Sequence, residues 1–309
     1  MKIFNSINDF SCSKKTILTL GTFDGVHKGH RKILEKLSKN TENEQTESLV
    51  LTFFPHPRMV LKGQSDVKLL NTINEKIDLL ENLAVQNLVI HPFDEAFSKL
   101  TAEEFVKTVL VEQFHIQKII IGHDHRFGRN RTANIDDLLA FGKQYDFEVE
   151  QISVQEIKAV SISSTKIRKA LTDGNMALAN NYLGYEYFLT GTVSKGKQLG
   201  RTIGFPTANL TFEENDKLIP KNGVYVVKSS INQKTVFGMM NIGFNPTVAG
   251  EKLSVEVHYF DFEADLYNQE IRVSILEYLR SEQKFDSVAL LKEQLKKDED
   301  AALTYIKSL

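Results

Sequence analysis

Leu20-Gly21-Thr22-Phe23-Asp24-Gly25-Val26-His27-Lys28-Gly29-His30-Arg31 follows an alternating apolar run, Thr16 to Leu20, and leads into Ile33, Leu34 and Leu37 at helical spacing. The stretch therefore predicts a strand, a tight glycine turn and a helix. Glycines at 21, 25 and 29 let the backbone come close to a ligand, and the helix start offers unpaired N–H groups and a positive dipole end. Such a place suits phosphate. His27 and His30 bracket the turn, where imidazoles could hold a triphosphate and neutralise charge on a leaving pyrophosphate. Taken alone, the same His-x-Gly-His is equally a glycine turn with two solvated histidines.

Outward from this turn, strand and helix alternate. Ser48–Phe54, Asn87–His91, Lys118–Gly122 and Phe147–Val154 read as strands, and Glu75–Leu83 and Ile135–Gln144 as helices, with Thr101 capping another. The pattern predicts a parallel sheet covered on both faces, with ligands beyond the carboxyl ends of its strands, where Gly21, Pro55 and Gly122 begin their loops. Pro55-His56-Pro57-Arg58 pins a histidine between two prolines; a rigid turn with an exposed His is the plain alternative. In Gly122-His123-Asp124-His125-Arg126-Phe127-Gly128-Arg129-Asn130-Arg131, an aromatic residue among arginines suits a stacked planar group beside phosphate. Metal binding by His123, Asp124 and His125 would need further ligands that no other cluster clearly supplies. Ser161-Ile162-Ser163-Ser164-Thr165-Lys166-Ile167-Arg168 reads as a second phosphate-ready helix start, although helix capping alone would explain its hydroxyls.

After the helix Met176–Tyr182 the pattern changes near Gly184. Tyr187–Val193, Gly223–Lys228, Val236–Ile242, Leu253–Phe260 and Ile271–Tyr278 are β-prone runs with no helix between them until Phe285. They predict an antiparallel barrel closed by a helical pair, Ser287–Leu295 and Asp298–Ile306. The expected domains are 1–182 and 183–309. Glycines 196, 200 and 204 suggest a flexible loop in which Lys195, Lys197 and Arg201 could meet phosphate. Beyond it, Thr207 and Asn209 at i and i+2 face the same way on a strand and can offer two hard oxygens to Mg²⁺. Along Ser254-Val255-Glu256-Val257-His258-Tyr259, alternation puts Glu256 on the face of Ser254 and His258, opposite the valines. A water-facing role is the plain reading for all of these polar residues.

Composition sets outer bounds. The 309 residues are 41% hydrophobic and 25% charged, and 38 basic against 40 acidic side chains leave a net charge of −2. That balance argues against a general binder of nucleic acid or anionic membrane. With Cys12 alone no intramolecular disulfide is possible, and neither a leader-like segment nor a run of about 18 apolar residues is evident. The expected location is the cytoplasm. The expected partners are small molecules, with no nucleic acid or membrane, and the expected state is a monomer or weak homo-oligomer.

Gly-Thr-Phe-Asp-Gly-Val-His-Lys-Gly-His from Gly21, Pro55-His56-Pro57, Gly-His-Asp-His-Arg-Phe-Gly from Gly122 and Ile-Ser-Ser-Thr-Lys-Ile-Arg from Ile162 occur in this order. Together they resemble the adenylyltransferase half of bacterial bifunctional riboflavin kinase/FMN adenylyltransferases. That family often has Asn where this chain has Asp124 and an aromatic residue where it has His125. Gly196 to Asn209, Asn241 to Thr247 and Glu256-Val257-His258 ahead of Asp265-Leu266-Tyr267 resemble the riboflavin kinase half. The resemblance implies an α/β chain with an N-terminal Rossmann-like nucleotidyltransferase domain and a C-terminal β-barrel kinase domain. It also implies ATP, riboflavin, FMN and FAD as substrates and products, with Mg²⁺. In the transferase it implies ATP binding by Gly21, Phe23, Asp24, Gly25, His27, His30, Ser164, Thr165 and Arg168, and flavin binding by His56, Asp124 and Phe127. In the kinase it implies ATP binding by Gly196, Lys197, Gly200, Arg201, Gly204, Thr207 and Asn209, the last two also on the metal, and Glu256 as general base. A nucleotidyltransferase making a CDP-activated alcohol would have no use for Pro206-Thr207-Ala208-Asn209. A barrel that merely bound nucleic acid would need excess basic charge, whereas its C-terminal part carries Glu263, Asp265, Glu270, Glu277 and Glu282.

Overall fold

The computed structural model describes residues 1–41, 45–61, 67–122, 126–152, 162–196, 199–214, 216–247 and 250–309. The chain divides into two compact units, Met1–Ser163 and Ser164–Leu309.

The first unit runs β1 (Lys2–Phe4), β2 (Lys15–Leu20), α1 (Lys28–Asn40), β3 (Thr46–Phe53), α2 (Pro57–Val60), α3 (Ile73–Glu81), β4 (Asn87–His91), α4 (Glu95–Ser98) and α5 (Ala102–Glu104). A π-helical run, Phe105–Gln113, continues α5, and β5 (Ile116–Gly122), α6 (Ile135–Tyr145) and β6 (Glu148–Ile152) complete the unit. Among the described residues the strands form one parallel sheet in the order β1-β4-β3-β2-β5-β6. Consecutive residues Leu49, Val50 and Leu51 are all fully buried, as are Ile119, Ile120 and Ile121. Both faces of the sheet are therefore covered, which is what lets parallel strands be apolar throughout. The expected capping of the helix after Thr101 is present and reciprocal, with Thr101 Oγ1 accepting from Glu104 N and Glu104 Oε2 from Thr101 N. The chain passes from β2 to β3 and β4 on one side and returns with β5 on the other side of β2. That reversal opens a crevice at the carboxyl ends of β2 and β5. The glycine turn after Leu20 begins there.

The second unit opens with α7 (Ser164–Asp173) and α8 (Met176–Leu183). It continues through β7 (Phe188–Ser194), α9 (Leu199–Ile203), β8 (Ala208–Thr211), β9 (Gly223–Ile231), β10 (Lys234–Thr247), β11 (Gly250–Tyr259), β12 (Glu270–Arg280) and α10 (Val288–Lys307). Among the described residues its strands close an antiparallel barrel in the order β10-β11-β8-β7-β12-β9, with β9 pairing back to β10. Helices α7 and α8 are tied to this barrel. Lys221 N donates to Leu171 O at 3.1 Å, Asn180 Nδ2 to Ile275 O at 3.0 Å, and Tyr187 N to Asn180 Oδ1 at 2.7 Å. Gly184, where the pattern was expected to change, is the left-handed cap of α8, with φ of 80°.

Two expectations are corrected. The C-terminal helical pair is one helix, α10. Asp298, expected to start a second helix, lies within α10, buried, with both carboxylate oxygens on Arg280 at 2.8 and 2.7 Å and one also accepting from Gln294 Nε2 at 2.9 Å. A carboxylate held from outside the helix has no need to cap one. The Gly196–Gly204 run is not loop throughout, because α9 turns within it. Phe205 N closes that turn on Gly200 O at 2.9 Å, and Gly204, at φ of 89°, ends it. A side chain on Gly200 would meet Phe205 O at 2.2 Å, so this glycine makes the turn possible by lacking one.

Candidate active sites

In the first unit, three left-handed residues, Phe23, Gly25 and Val26, fold the chain after β2 back onto the start of α1. Two long-range bonds fix this turn from α3 and the segment before it. Asp24 Oδ1 accepts from Leu70 N at 2.9 Å, and Lys76 Nζ donates to Thr22 O at 2.9 Å. His27 is the N-cap of α1, its Nδ1 accepting from His30 N at 3.3 Å. With Nδ1 as acceptor, a neutral ring carries its proton on Nε2. The rings of His27 and His30 stack at 3.7 Å and 15°. Gly29 leaves room beside that stack, since a Cβ there would lie 3.1 Å from His27 Cε1, closer than ordinary contact. Burial, with smaller contributions from His27 and Lys76, pushes the His30 pKa well below the ordinary imidazole range, so its ring is neutral at pH 7. His30 Nδ1 is buried and has no hydrogen-bond partner among the described residues. A buried polar atom of that kind is a place for a ligand group.

Other expected residues of this site are placed differently. The Phe23 ring is 2% exposed and packs edge-on against His30 at 5.2 Å, and the Phe127 ring, 7% exposed, belongs to the sheet's core beside Phe105. Asp24 is buried on its bond to Leu70. His56 caps α2, its Nδ1 accepting from Arg58 N at 3.1 Å. Asp124, with His123 and His125, lies outside the described residues. Ser164, Thr165 and Arg168 stand in the first turns of α7, in the second unit.

In the barrel, strand register assembles the other site. Glu256 on β11 pairs with Asn209 on β8 and with Asn241 on β10, so the three side chains lie side by side on one face. Val255 and Val257 on the opposite face are buried, as the alternation predicts. Thr207 Oγ1 donates to Glu256 Oε2 at 3.1 Å, and Ser254 Oγ to Glu256 Oε1 at 3.0 Å. His258 Nδ1 meets Pro206 O at 2.8 Å and its ring meets Phe205 at 5.2 Å, holding the segment before Thr207 against β11. Gly196 leaves space for the Asn209 amide, because a Cβ there would fall 2.4 Å from Asn209 Nδ2. Arg201 and Gly204 are exposed at the end of α9. Lys197 lies outside the described residues. Sequence reasoning did not single out Asn241 or give Ser254 a role. For Ser254 the signal was its place two residues before Glu256; Asn241 opens one of the stretches that resemble the kinase half, and the register places it beside Glu256.

The donor set fits Mg²⁺. Thr207 gives its proton to Glu256 and keeps its lone pairs, Asn209 has its amide oxygen, and both are neutral hard oxygens of the kind this cation takes alongside phosphates. Among the described residues, no group of three or more His, Cys, Asp or Glu is placed to hold a metal ion, and no helix is long and apolar enough to cross a membrane.

The FAD synthetase family model matches residues 9–166, and the riboflavin kinase family model matches residues 183–306. The chain is 37% identical over 311 residues to a bifunctional riboflavin kinase/FMN adenylyltransferase of Buchnera aphidicola subsp. Schizaphis graminum, covering 99% of each chain. Identity to the protein of the same description from Escherichia coli strain K12 is 36% over 302 residues, 97% of this chain and 96% of that one. A crystal structure from Streptococcus pneumoniae, described as a macrolide-efflux protein, superposes with a TM-score of 0.87 at 32% identity and 97% coverage of both chains.

Proposed function

The chain belongs to the bifunctional riboflavin kinase/FMN adenylyltransferase family, and from that premise we propose which of its residues carry the two reactions. As a transferase of flavin-cofactor synthesis, it makes FMN from riboflavin and ATP, then FAD from FMN and ATP, releasing pyrophosphate. The kinase reaction runs on the barrel face around Glu256. Glu256 takes the proton of the riboflavin 5′-hydroxyl as that oxygen attacks the γ-phosphate of ATP, the bond to the β,γ-bridging oxygen breaks and ADP leaves. Thr207 and Asn209 would hold Mg²⁺, which when bound would neutralise charge on the phosphates. Gly196, Lys197, Gly200, Arg201 and Gly204 complete the ATP side. The observation that carries this reading is the meeting of the Thr207 hydroxyl with the Glu256 carboxylate, with Asn209 opposite in register.

The adenylyltransferase reaction joins the FMN phosphate to the α-phosphate of ATP. His27, donating from Nε2, and His30, with its unpartnered Nδ1, bind the ATP phosphates, helped by backbone groups of Gly21 and Gly25. Phe23 and Asp24 act by shaping the turn rather than by side-chain contact with ATP. Ser164, Thr165 and Arg168 have their phosphate-binding role, and His56 and Asp124 their flavin-binding role, from the family resemblance. Phe127 anchors its loop from the core. We place the enzyme in the cytoplasm, supplied there with ATP and small-molecule flavins.

Product analysis with riboflavin and MgATP tests the whole reading, and Glu256→Gln tests its centre. General-base help is worth roughly 10²- to 10⁴-fold, and an amide of the same shape cannot take the proton. The variant should lose riboflavin phosphorylation on that scale and convert added FMN to FAD at the wild-type rate. A kinase rate within a few-fold of wild type would leave Glu256 on a merely solvated face.

A further inference from the structure

Among the described residues, the side-chain donors to the Glu256 carboxylate are hydroxyls. Among the described residues no Lys, Arg or His forms an ion pair with it, and its cross-strand neighbours are the amides Asn209 and Asn241. Each carboxylate oxygen instead receives one O–H donor, from Ser254 at 3.0 Å and Thr207 at 3.1 Å. Such charge-assisted bonds are directional and fix the plane of a carboxylate on a long side chain that has three rotatable bonds. The two donors are not equivalent. Thr207 lies before β8, on the segment that follows α9, and in the proposed reaction it also serves the cation. Ser254 lies within β11 itself, two residues before Glu256 on the same face, so its distance to the carboxylate is set by one strand's geometry. Its cross-strand partner on β10 is Gly243, which brings no side chain of its own beside it.

We infer that Ser254 is a positioning residue of the kinase: its hydroxyl orients the Glu256 carboxylate toward the riboflavin 5′-hydroxyl, whatever Thr207 binds. The inference rests on the assignment of Glu256 as base. An unoriented carboxylate samples several rotamers and meets the attacking hydroxyl in only some of them. The loss then falls on turnover, because Ser254 acts through the Glu256 carboxylate it bonds.

Riboflavin phosphorylation and FMN adenylylation are to be measured on the same full-length preparations of wild type, Ser254→Ala, Ser254→Thr, Glu256→Gln and the double variant Ser254→Ala/Glu256→Gln. Ser254→Ala should lower the kinase kcat about 10-fold, within the range that misplacing a catalytic group costs, with both KM values within about twofold of wild type. Ser254→Thr keeps the hydroxyl on a residue that suits a strand, and should restore kcat to within about threefold. In the Glu256→Gln background, Ser254→Ala should cause no further loss, because residues acting as a unit are not additive. Unchanged adenylylation reports that the first unit is folded, and a wild-type Tm of each full-length variant reports that its barrel is. A wild-type kcat for Ser254→Ala, or the same factor of loss with and without Glu256, would overturn the inference while leaving the base assignment in place if Glu256→Gln is inactive. An active Glu256→Gln would remove the base assignment and this inference with it.

Discussion

His30 shows what a single residue contributes here. Its ring is stacked on His27, walled by Phe23 and neutral through burial, and its Nδ1 meets no protein group among the described residues. Replacing it by alanine would remove the proposed phosphate ligand but leave the His27 cap, in which His27 Nδ1 accepts from the His30 backbone N–H. Formation of FAD from FMN should therefore fall about 10²-fold or more, the scale of one lost transition-state donor. Riboflavin phosphorylation by the same preparation should be unchanged, and a wild-type adenylylation rate would exclude His30 as a ligand. The pair of histidines was legible in the sequence because residue type and spacing define a helix start. The roles of Phe23, Asp24 and Phe127 were not. An aromatic or acidic residue inside a motif looks the same in sequence whatever surrounds it, and only the structure shows Phe23 against His30, Asp24 bonded to Leu70 and Phe127 beside Phe105.

At the scale of elements, the strands were readable since alternation and β-branched runs are local signals, and register then supplied what local signals cannot. Asn241 joins Glu256 only because β10 and β11 pair as they do. Two of the helices read differently have a non-local cause. Helix α9 is one turn between glycines, and its stability comes from Phe205 closing on Gly200 and from the core contacts of Ile203 and Phe205. Helix α10 runs through Asp298 because Arg280, 18 residues earlier on β12, takes the carboxylate. Asp298 is 3% exposed, so removing it leaves a charge that is partly desolvated and unpaired. Buried pairs broken this way cost several kcal/mol, and the partial exposure of Arg280 reduces that here to about 2 kcal/mol. Asp298→Ala should lower the denaturant midpoint of the barrel unit accordingly and speed amide exchange along the second half of α10. A shift below about 0.5 kcal/mol would mean that Arg280 is fully rehydrated and that the helix is continuous for another reason.

For the whole molecule the instructive segment is 164–182. The sequence pattern assigned it to the adenylyltransferase half, the two family models leave 167–182 unmatched between them, and the structure's contacts group Ser164 onward with the barrel. Pattern and packing answer different questions. Strand–helix alternation tells which residues share a local architecture, whereas burial tells which faces are covered in common. Ile167, Leu171, Met176, Ala179 and Leu183 are all buried, and α8 is bonded to β12 through Asn180. A kinase fragment cut at 183 loses Ile167, Leu171, Met176 and Ala179 together with the bonds of Leu171 and Asn180 to the barrel, and one cut at 164 keeps them. At about 25 cal/mol per Å² of apolar area, even a modest patch is worth several kcal/mol, a large share of a domain's total stability. Fragments 164–309 and 183–309 should both phosphorylate riboflavin, since Thr207, Asn209 and Glu256 lie in each, but 164–309 should unfold at a Tm higher by roughly 5 °C or more. The complementary pair separates chemistry from packing. Fragment 1–182 retains Ser164, Thr165 and Arg168 and should adenylylate FMN, whereas 1–163, folded as judged by circular dichroism, should not. Equal Tm values for the kinase fragments would show that α7 and α8 add nothing to the barrel. Full adenylylation by 1–163 would release Ser164, Thr165 and Arg168 from any part in binding ATP.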